Sequence, residues 1–190
     1  MKKKFLCLIT TLIIQTKKSR PMRRIIFILL LLPLFSFAQK TDVFLKLTDV
    51  KGQQIKGESV LKGFERWIGA TTIISEGKNN TQLSFTMAVS GATADLKKAM
   101  ANGELLSRGE VYVVTSRAGA PFIVYTIKME QITVLSSSEA MGCNNMMNTT
   151  VSLHATRIGW TYYQSGKTGI QTVSKKFGWD ADTKSEWTNF

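Results

Sequence analysis

Cys143 and His154 are the only cysteine and the only histidine after residue 38, so they form the one candidate pair for thiol-based nucleophilic catalysis. A nucleophile and its base must lie within hydrogen-bond reach of each other, and nothing in the spacing of these two residues requires that. His154 lies in a strand-like segment, on the opposite face from its apolar neighbours. We therefore expect a histidine at the surface or at an interface, and we expect no enzymatic activity.

The other polar residues predict no metal or cofactor site. One histidine and one cysteine cannot provide the three or four ligands of a zinc ion without carboxylates from elsewhere in the chain. Asp180, Asp182 and Glu186 lie in a polar C-terminal stretch with no sign of a cleft, so we expect a solvated tail there. We predict that the protein binds no metal and no cofactor.

The segment Ser165–Thr168 resembles the end of a phosphate-binding loop. The motif also requires a glycine at position 161, where this sequence has threonine, and a helix that follows the loop. Strand and turn patterns surround the segment instead, so no row of helical N–H groups is available to face a phosphate. We therefore expect no nucleotide binding.

The formal net charge of +12 is concentrated at the start of the 190-residue chain. Residues 1–38 contain eight lysines and arginines and no acidic residue, which leaves 17 basic and 13 acidic residues in the rest of the chain. The part that follows the basic start is therefore only mildly basic. This distribution argues against a nucleic-acid partner, because such a partner requires a concentrated basic surface on the folded domain.

The first 38 residues have the pattern of a secretory leader. Arg23 and Arg24 precede an apolar run of 13 residues, Ile25–Phe37, and the small residues up to Ala38 are typical of a cleavage site. The run is shorter than the roughly 20 residues that span a bilayer as a helix, which argues against a permanent membrane anchor. We predict a signal peptide to Ala38, with export to the periplasm or to the outside of the cell.

A second apolar run, Phe5–Ile14, precedes this leader. Two export signals in series serve no purpose, so Met22 is a better start than Met1. The alternative is a membrane hairpin of the two runs, although neither run is long enough to cross a bilayer. After cleavage only Cys143 would remain, so an intramolecular disulfide is excluded from the mature chain.

A short amphipathic helix is predicted in the middle of a sequence that otherwise resembles strands. Leu96, Ala99 and Met100 recur at helical spacing, Thr93 is a suitable N-cap, and Gly103 follows where a left-handed C-cap belongs. Isolated helices below roughly 12 to 15 residues are marginal in water. The apolar stripe of this helix must therefore pack against the rest of the domain.

The rest of residues 39–190 contains no linker and follows the period of β-strands, so one domain is expected. The apolar parity changes near Glu130 and at Arg157, which means that two long strands bend or bulge. Such curvature closes barrels. We predict a mainly β fold, an antiparallel β-barrel of two curved sheets and about eight strands with one short flanking α-helix. The predicted strands include Asp42–Leu47, Phe64–Ser75, Leu83–Val89, Gly109–Ser116, Phe122–Leu135, Thr149–Tyr163 and Gly169–Trp179.

Two loops connect these strands. Asp49–Gly63 has three glycines among lysine, glutamine and glutamate residues, and it lacks an apolar face, so it is predicted to be extended. Ser136–Asn148 is polar but contains Met141, Met146 and Met147. Methionine fills irregular apolar gaps, so these side chains form either a pliable contact surface or a cover for the barrel end.

Several local strings, in this order and spacing, resemble the haemolysin-coregulated protein family, which forms the tube of type VI secretion systems. The resemblance covers nearly all of residues 42–190. The strings that carry it are Phe44–Leu47, Ile55–Ser59, Ala94–Leu105, Tyr125–Val134, Arg157–Tyr162 and Gly178–Asp180.

The resemblance implies a β-barrel with one flanking helix that assembles into hexameric rings, which stack into a hollow tube and have no catalytic activity. The implied partners are further copies of the chain, with spike, sheath or cargo proteins of the secretion machine. The alternative is an exported binding module of the same fold that no longer forms tubes, and the predicted signal peptide favours it.

The candidate subunit contacts follow from the geometry of a ring, in which each subunit presents two different and complementary faces. The strand with Trp160 and Tyr162 carries large side chains at both parities, and the loop Asp49–Gly63 is too polar to pack on its own barrel. The alternative for this strand is a bulge at Arg157 that keeps every apolar side chain inside. The candidate interface residues are Lys51, Gln53, Ile55, Lys56, Glu58, Trp160 and Tyr162.

Overall fold

The computed structural model describes residues 41–76, 81–117, 120–142, 145–165 and 170–190, without the side chains of residues 116, 117 and 120. The predicted leader with its cleavage site, Cys143 and the end of the Ser165–Thr168 motif lie outside the described residues. No helix in the described part of the chain is long and apolar enough to cross a membrane.

Alternation of apolar and polar residues produces the strands, as the sequence predicts. In the first strand, for example, Val43, Leu45 and Leu47 all point into the core. The described elements, in chain order, are β1 (Thr41–Asp49), β2 (Ile68–Glu76), β3 (Gln82–Ala88), α1 (Gly91–Asn102), β4 (Leu105–Arg117), β5 (Ala120–Met141), β6 (Met147–Ser165), β7 (Gln171–Asp180) and β8 (Ser185–Glu186).

The eight described strands form one antiparallel sheet in the order β3-β2-β1-β4-β5-β6-β7-β8, and an additional pairing of β3 with β6 closes six of them into a ring. This confirms the mainly β fold with one helix. β7 and β8 continue the sheet from the second half of β6, beyond the closed ring. β6 therefore pairs with three strands: β3 through its first half, β7 through its second half, and β5 along most of its length.

Both long strands bend where the parity of the apolar residues changes. In β5 the buried apolar side chains occupy odd-numbered positions up to Met129 and even-numbered positions from Ile132. Between them, Gln131 has a left-handed backbone with φ of 52°. In β6 the buried apolar side chains occupy odd-numbered positions up to Ala155 and even-numbered positions from Ile158. The prediction of two bends is confirmed, and each bend lets one strand serve both curved halves of the sheet.

The helix packs against the barrel through Ala92, Leu96 and Ala99, all of which belong to the hydrophobic core. Gly103 ends it in a left-handed conformation with φ of 63°, as predicted. The predicted N-cap was wrong by three residues. Ser90 is the N-cap, and the hydroxyl of Thr93 accepts the backbone N–H of Ser90 at 3.1 Å.

The prediction of a polar loop at Ser136–Asn148 was wrong over its first half. Residues Ser136–Met141 continue β5 and pair with the start of β6. Polar side chains do not prevent a strand here, because β6 satisfies the backbone hydrogen bonds on one edge. The three methionines lie at the tip of this hairpin with exposed side chains, so they cover no barrel end within the subunit.

The prediction of a solvated C-terminal tail was wrong for Asp180, whereas Asp182 and Glu186 are exposed as predicted. β8 pairs with Trp179 and Asp180 of β7, and only 6% of Asp180 is exposed. Its carboxylate accepts hydrogen bonds from Arg157 and from two backbone N–H groups of the following turn. These bonds, with the one from the N–H of Thr183 as the strongest cause, hold the pKa of Asp180 below its ordinary value.

Candidate functional site

The loop after β1 begins with a tight turn that displays two of the predicted interface residues. The carboxylate of Asp49 accepts the backbone N–H groups of Lys51 at 2.8 Å and of Gln53 at 2.7 Å. Gly52 has φ of 79°, which a side chain would disfavour. Lys51 and Gln53 are therefore held with exposed side chains by a defined local structure.

The loop packs on its own barrel at two points, contrary to the expectation from its polarity. Ile55 is buried in the core, and its N–H donates to the carbonyl of Leu47 at 2.9 Å. Gly57 passes so close to the start of β2 that a Cβ there would come to 2.5 Å from the backbone of Ile68. Glycine at position 57 thus permits a close approach that the composition of the loop does not reveal.

Four aromatic rings fix the far end of the loop on the outer face of the barrel. Phe64 stacks on Phe44 at 4.5 Å between ring centroids, and Trp67 and Tyr112 complete the group at 5.2–5.7 Å. We call these residues the ring cluster. Burial is the main cause that raises the pKa of Tyr112. The ring cluster buries Phe44 although it points away from the core, so the loop has a rigid base.

The part of the loop between these anchors is exposed. Lys56 and Glu58 point to solvent, and they are followed by two exposed apolar residues, Val60 (92% exposed) and Leu61. We call Lys51, Gln53, Lys56, Glu58, Val60 and Leu61 the loop face. A shallow, mainly apolar groove of about 230 Å³ lies beside it, between Glu58 and Ser59 of the loop, Phe44, Gly69 and Ser90.

The second candidate surface is the part of the sheet that extends beyond the closed ring. We call the second half of β6 together with β7 the wing. Trp160 is buried and stacks on Phe177 of β7 at 5.8 Å, whereas 47% of Tyr162 and 48% of Phe177 are exposed. Tyr162 also lies 5.7 Å from Tyr125. Burial, followed by the charge on Tyr162, raises the pKa of Tyr125.

The structure therefore separates the predicted interface residues into two groups. Ile55 and Trp160 belong to the core of their own subunit, whereas Tyr162 and the four polar loop residues are available at the surface. The candidates from the sequence did not include three further exposed apolar residues, Phe177, Val60 and Leu61. The antiparallel pairing of β6 with β7 places Phe177 opposite Trp160. A predicted register for these two strands would therefore have placed Phe177 beside a candidate interface residue.

The described residues show no constellation for metal chemistry. No group of three or more histidine, cysteine, aspartate and glutamate side chains comes together in the described ranges. His154 is partly exposed and lies between Gln82 of β3 and Thr133 of β5. The candidate features that we consider further are the loop face and the wing.

Comparison with solved structures defines the class of the fold. Hcp1 from Salmonella typhimurium superposes with a TM-score of 0.64, at 20% identity, over 77% of this chain and 99% of that chain. A type six secretion system protein gives 0.66, at 19% identity, over 78% of this chain and 100% of that one. The secreted protein Hcp3 from Pseudomonas aeruginosa gives 0.56, at 20% identity, over 72% and 98%. The fold is therefore that of the Hcp class.

The sequence itself carries the family relationship. The family model of the type VI secretion system effector Hcp matches residues 44–162, which is more than half of the chain. This protein belongs to the Hcp family. The match includes the loop face, the helix and β6 as far as Tyr162, and it confirms the resemblance drawn from the local strings. No curated protein sequence matches the chain significantly.

Proposed function

We propose that this protein is a structural subunit that assembles into rings through its loop face and its wing. The observation that carries the proposal is the presence of two different exposed surfaces on a rigid barrel of the Hcp family. A ring requires such a heterologous pair, because each subunit must offer one surface to each neighbour. The implied partners are further copies of the chain and other components of a type VI secretion machine.

The chemistry of the two surfaces supports this pairing. The loop face combines charged groups with the exposed apolar pair Val60 and Leu61. The wing offers the half-exposed aromatic rings of Tyr162 and Phe177, and aromatic residues are enriched at protein interfaces because they bury a large area with few rotatable bonds. Contact between the two would remove apolar surface from water on both sides.

We further propose that the protein is exported. The leader pattern of residues 1–38 supports this, and the structural relative from Pseudomonas aeruginosa is named a secreted protein. Its place of residence would then be the periplasm or the outside of the cell. We propose no catalytic role for the described residues, which make contacts with neighbours or support the fold.

The assembly proposal is tested with two variants of matched exposure. Leu61 of the loop face is 45% exposed and Leu135 of β5, outside both surfaces, is 47% exposed. Light scattering after size-exclusion chromatography should give a ring mass, expected to be six subunits, for the wild type and for Leu135→Asp. Leu61→Asp should give monomers that keep the wild-type fold, as measured by circular dichroism. A monomeric wild type at high concentration contradicts the proposal.

One observation favours an exported binding module as the second candidate function. Met141, Met146 and Met147 are exposed together at the tip of the β5–β6 hairpin, and flexible thioether side chains adapt to varied apolar partners. A monomeric protein whose binding to a target is lost in a triple Met→Ser variant would support this function instead of ring assembly.

A further inference from the structure

The C-terminal arm, residues 181–190, is folded against the wing instead of extending into solvent. Asp180 fastens its first turn, because one carboxylate oxygen accepts the N–H groups of Asp182 at 3.0 Å and Thr183 at 3.1 Å. The other oxygen accepts the Nε of Arg157 at 2.8 Å. β8 then pairs with the end of β7, so the arm returns along the edge of the sheet.

The arm ends in a seat that two glycines create. Gly159 of β6 and Gly178 of β7 are directly paired, and the ring of Phe190 lies over both of them. A Cβ on Gly159 would come to 2.6 Å from the ring, and one on Gly178 to 2.5 Å. A Cβ at position 159 would displace the ring, and one at position 178 would meet both the ring and the backbone oxygen of Trp187. The two glycines thus leave room for an aromatic side chain.

Lys176 and Trp187 complete the seat. The Nζ of Lys176 donates to the backbone oxygens of Thr188 at 3.0 Å and of Phe190 at 2.7 Å, and it lies 4.0 Å from the centroid of the Phe190 ring. The ring of Trp187 lies 4.9 Å from that of Phe190. The seat therefore recognises an aromatic ring by contact and by a cation, and it recognises the preceding backbone by hydrogen bonds.

The seat lies on the opposite side of the wing from the aromatic rings proposed for assembly. Successive strand residues point to opposite faces, so Gly159 and Gly178 lie on the face of the wing opposite to that of Trp160 and Phe177. Among the described residues, the outer edge of β7 pairs with β8 at Trp179 and Asp180, and the carbonyl of Gly178 accepts the N–H of Trp187 at 3.0 Å. Phe190 and the Trp160–Phe177 stack thus hold the β6–β7 pair from its two faces.

We propose that the Gly159–Gly178 seat is an aromatic binding site that the chain fills with its own Phe190, and that this contact holds the wing in the position required for assembly. Phe190 is then a positioning residue, which touches no neighbouring subunit itself. The binding site stands on the contacts of the arm alone. The link to assembly rests on the proposed function of the wing.

The seat is tested by hydrogen exchange of the β7 amides in the whole protein. Phe190→Ala should speed the exchange of residues 171–177 at least tenfold and leave β3 unchanged, whereas Asn189→Ala, at an exposed neighbour in the arm, should change neither. Phe190→Tyr, which keeps an aromatic ring at the same position, should retain the slow exchange of the wild type. Exchange in Phe190→Ala equal to that in Asn189→Ala overturns the seat.

A double-mutant cycle tests the same contact through stability. Gly159→Ala should lower the melting temperature in the wild type, because the new methyl group displaces the ring of Phe190. In the Phe190→Ala background the same change should be neutral or should raise the melting temperature, since alanine is better than glycine in a strand. An equal loss in both backgrounds contradicts the proposal.

The mass of the assembly separates this inference from the proposed function. Fast β7 exchange together with a loss of ring mass in Phe190→Ala supports the positioning role. Fast exchange with an unchanged ring mass overturns that role. If the wild type itself forms no ring, the proposed function fails, and the exchange and the cycle still decide whether the seat exists.

Discussion

Single glycines decide how closely the chain can approach itself in this protein. Gly57 lies against the backbone at the start of β2, whereas Gly69, in the same region, has nothing within 4 Å of its missing Cβ. The first glycine therefore has a steric role that the second lacks. The ring cluster and Ile55 depend on this approach, because they anchor the loop on either side of Gly57.

Gly57→Ala is expected to destabilise the protein by about 1 to 3 kcal/mol, the usual cost of overpacking, because the new Cβ would overlap the backbone of Trp67 and Ile68. Chemical denaturation with urea measures this loss. Gly69→Ala is the matched control and should be neutral or slightly stabilising, since its Cβ meets open space. Equal midpoints for Gly57→Ala and the wild type would refute the close-approach role.

The residue pattern predicted correctly the exposure of some candidate interface residues but not of others. Tyr162 and the charged loop residues are exposed as candidates for contact, but Ile55 and Trp160 lie in the core. The sequence showed apolar residues at both parities around Arg157 and could not show how far inside the bend would carry each one. Trp160 and Tyr162 share a face of β6, but Trp160 is 6% exposed and belongs to the core, whereas Tyr162 is 47% exposed.

At the scale of elements, the bends in β5 and β6 are what make one sheet close. Gln131 takes up the bend in β5 with a left-handed backbone, which costs a residue with a Cβ about 1 kcal/mol or more. Its side chain is exposed, so no buried contact compensates for this cost. A single substitution at position 131 should therefore relieve this strain.

Gln131→Gly should raise the free energy of unfolding by up to about 1 kcal/mol, because glycine adopts positive φ without a steric penalty. Thr133→Gly, two residues further along the same strand, is the control and should lower it by roughly 0.5 to 1 kcal/mol. Both values come from equilibrium denaturation. A loss of stability in Gln131→Gly would show that the backbone at position 131 is not strained.

The elements that sequence analysis missed are stabilised by pairing with neighbouring strands, and their own residues show no apolar pattern. Ser136–Met141 is polar, yet β6 provides its backbone hydrogen bonds. β8 has only two residues and pairs with the end of β7. By contrast, β1, the β2–β3 hairpin and α1 contain their own apolar pattern, and this is why their existence followed from the sequence alone.

For the whole molecule, the Hcp family relationship and the leader pattern combine a barrel of the Hcp family with a predicted route out of the cytoplasm. The family match starts at residue 44, so it does not reach the predicted leader. The signal peptide therefore remains a prediction that rests on the sequence of residues 1–38.

The mature protein recovered from the periplasm or the medium is expected to begin at Gln39. Mass spectrometry of its N-terminal peptide measures this directly. Ala38→Arg should block cleavage, because the cleavage site requires a small residue, and it should leave the leader attached. An N-terminus at Met1 or Met22 in the wild-type protein would contradict the signal peptide.

The triple pairing of β6 has a consequence for the folding kinetics of the chain. β3 gains its second neighbour only when residues 148–154 arrive, and these are separated from it by α1, β4 and β5. Closing so long a stretch of chain costs entropy before any contact repays it, so the β3–β6 pairing is expected to form late and slowly. Until then the edge of β3 and the edge of the first half of β6 lack a partner, and open strand edges promote aggregation. Variants that weaken β6 should therefore reduce the yield of soluble protein more than their equilibrium stability implies.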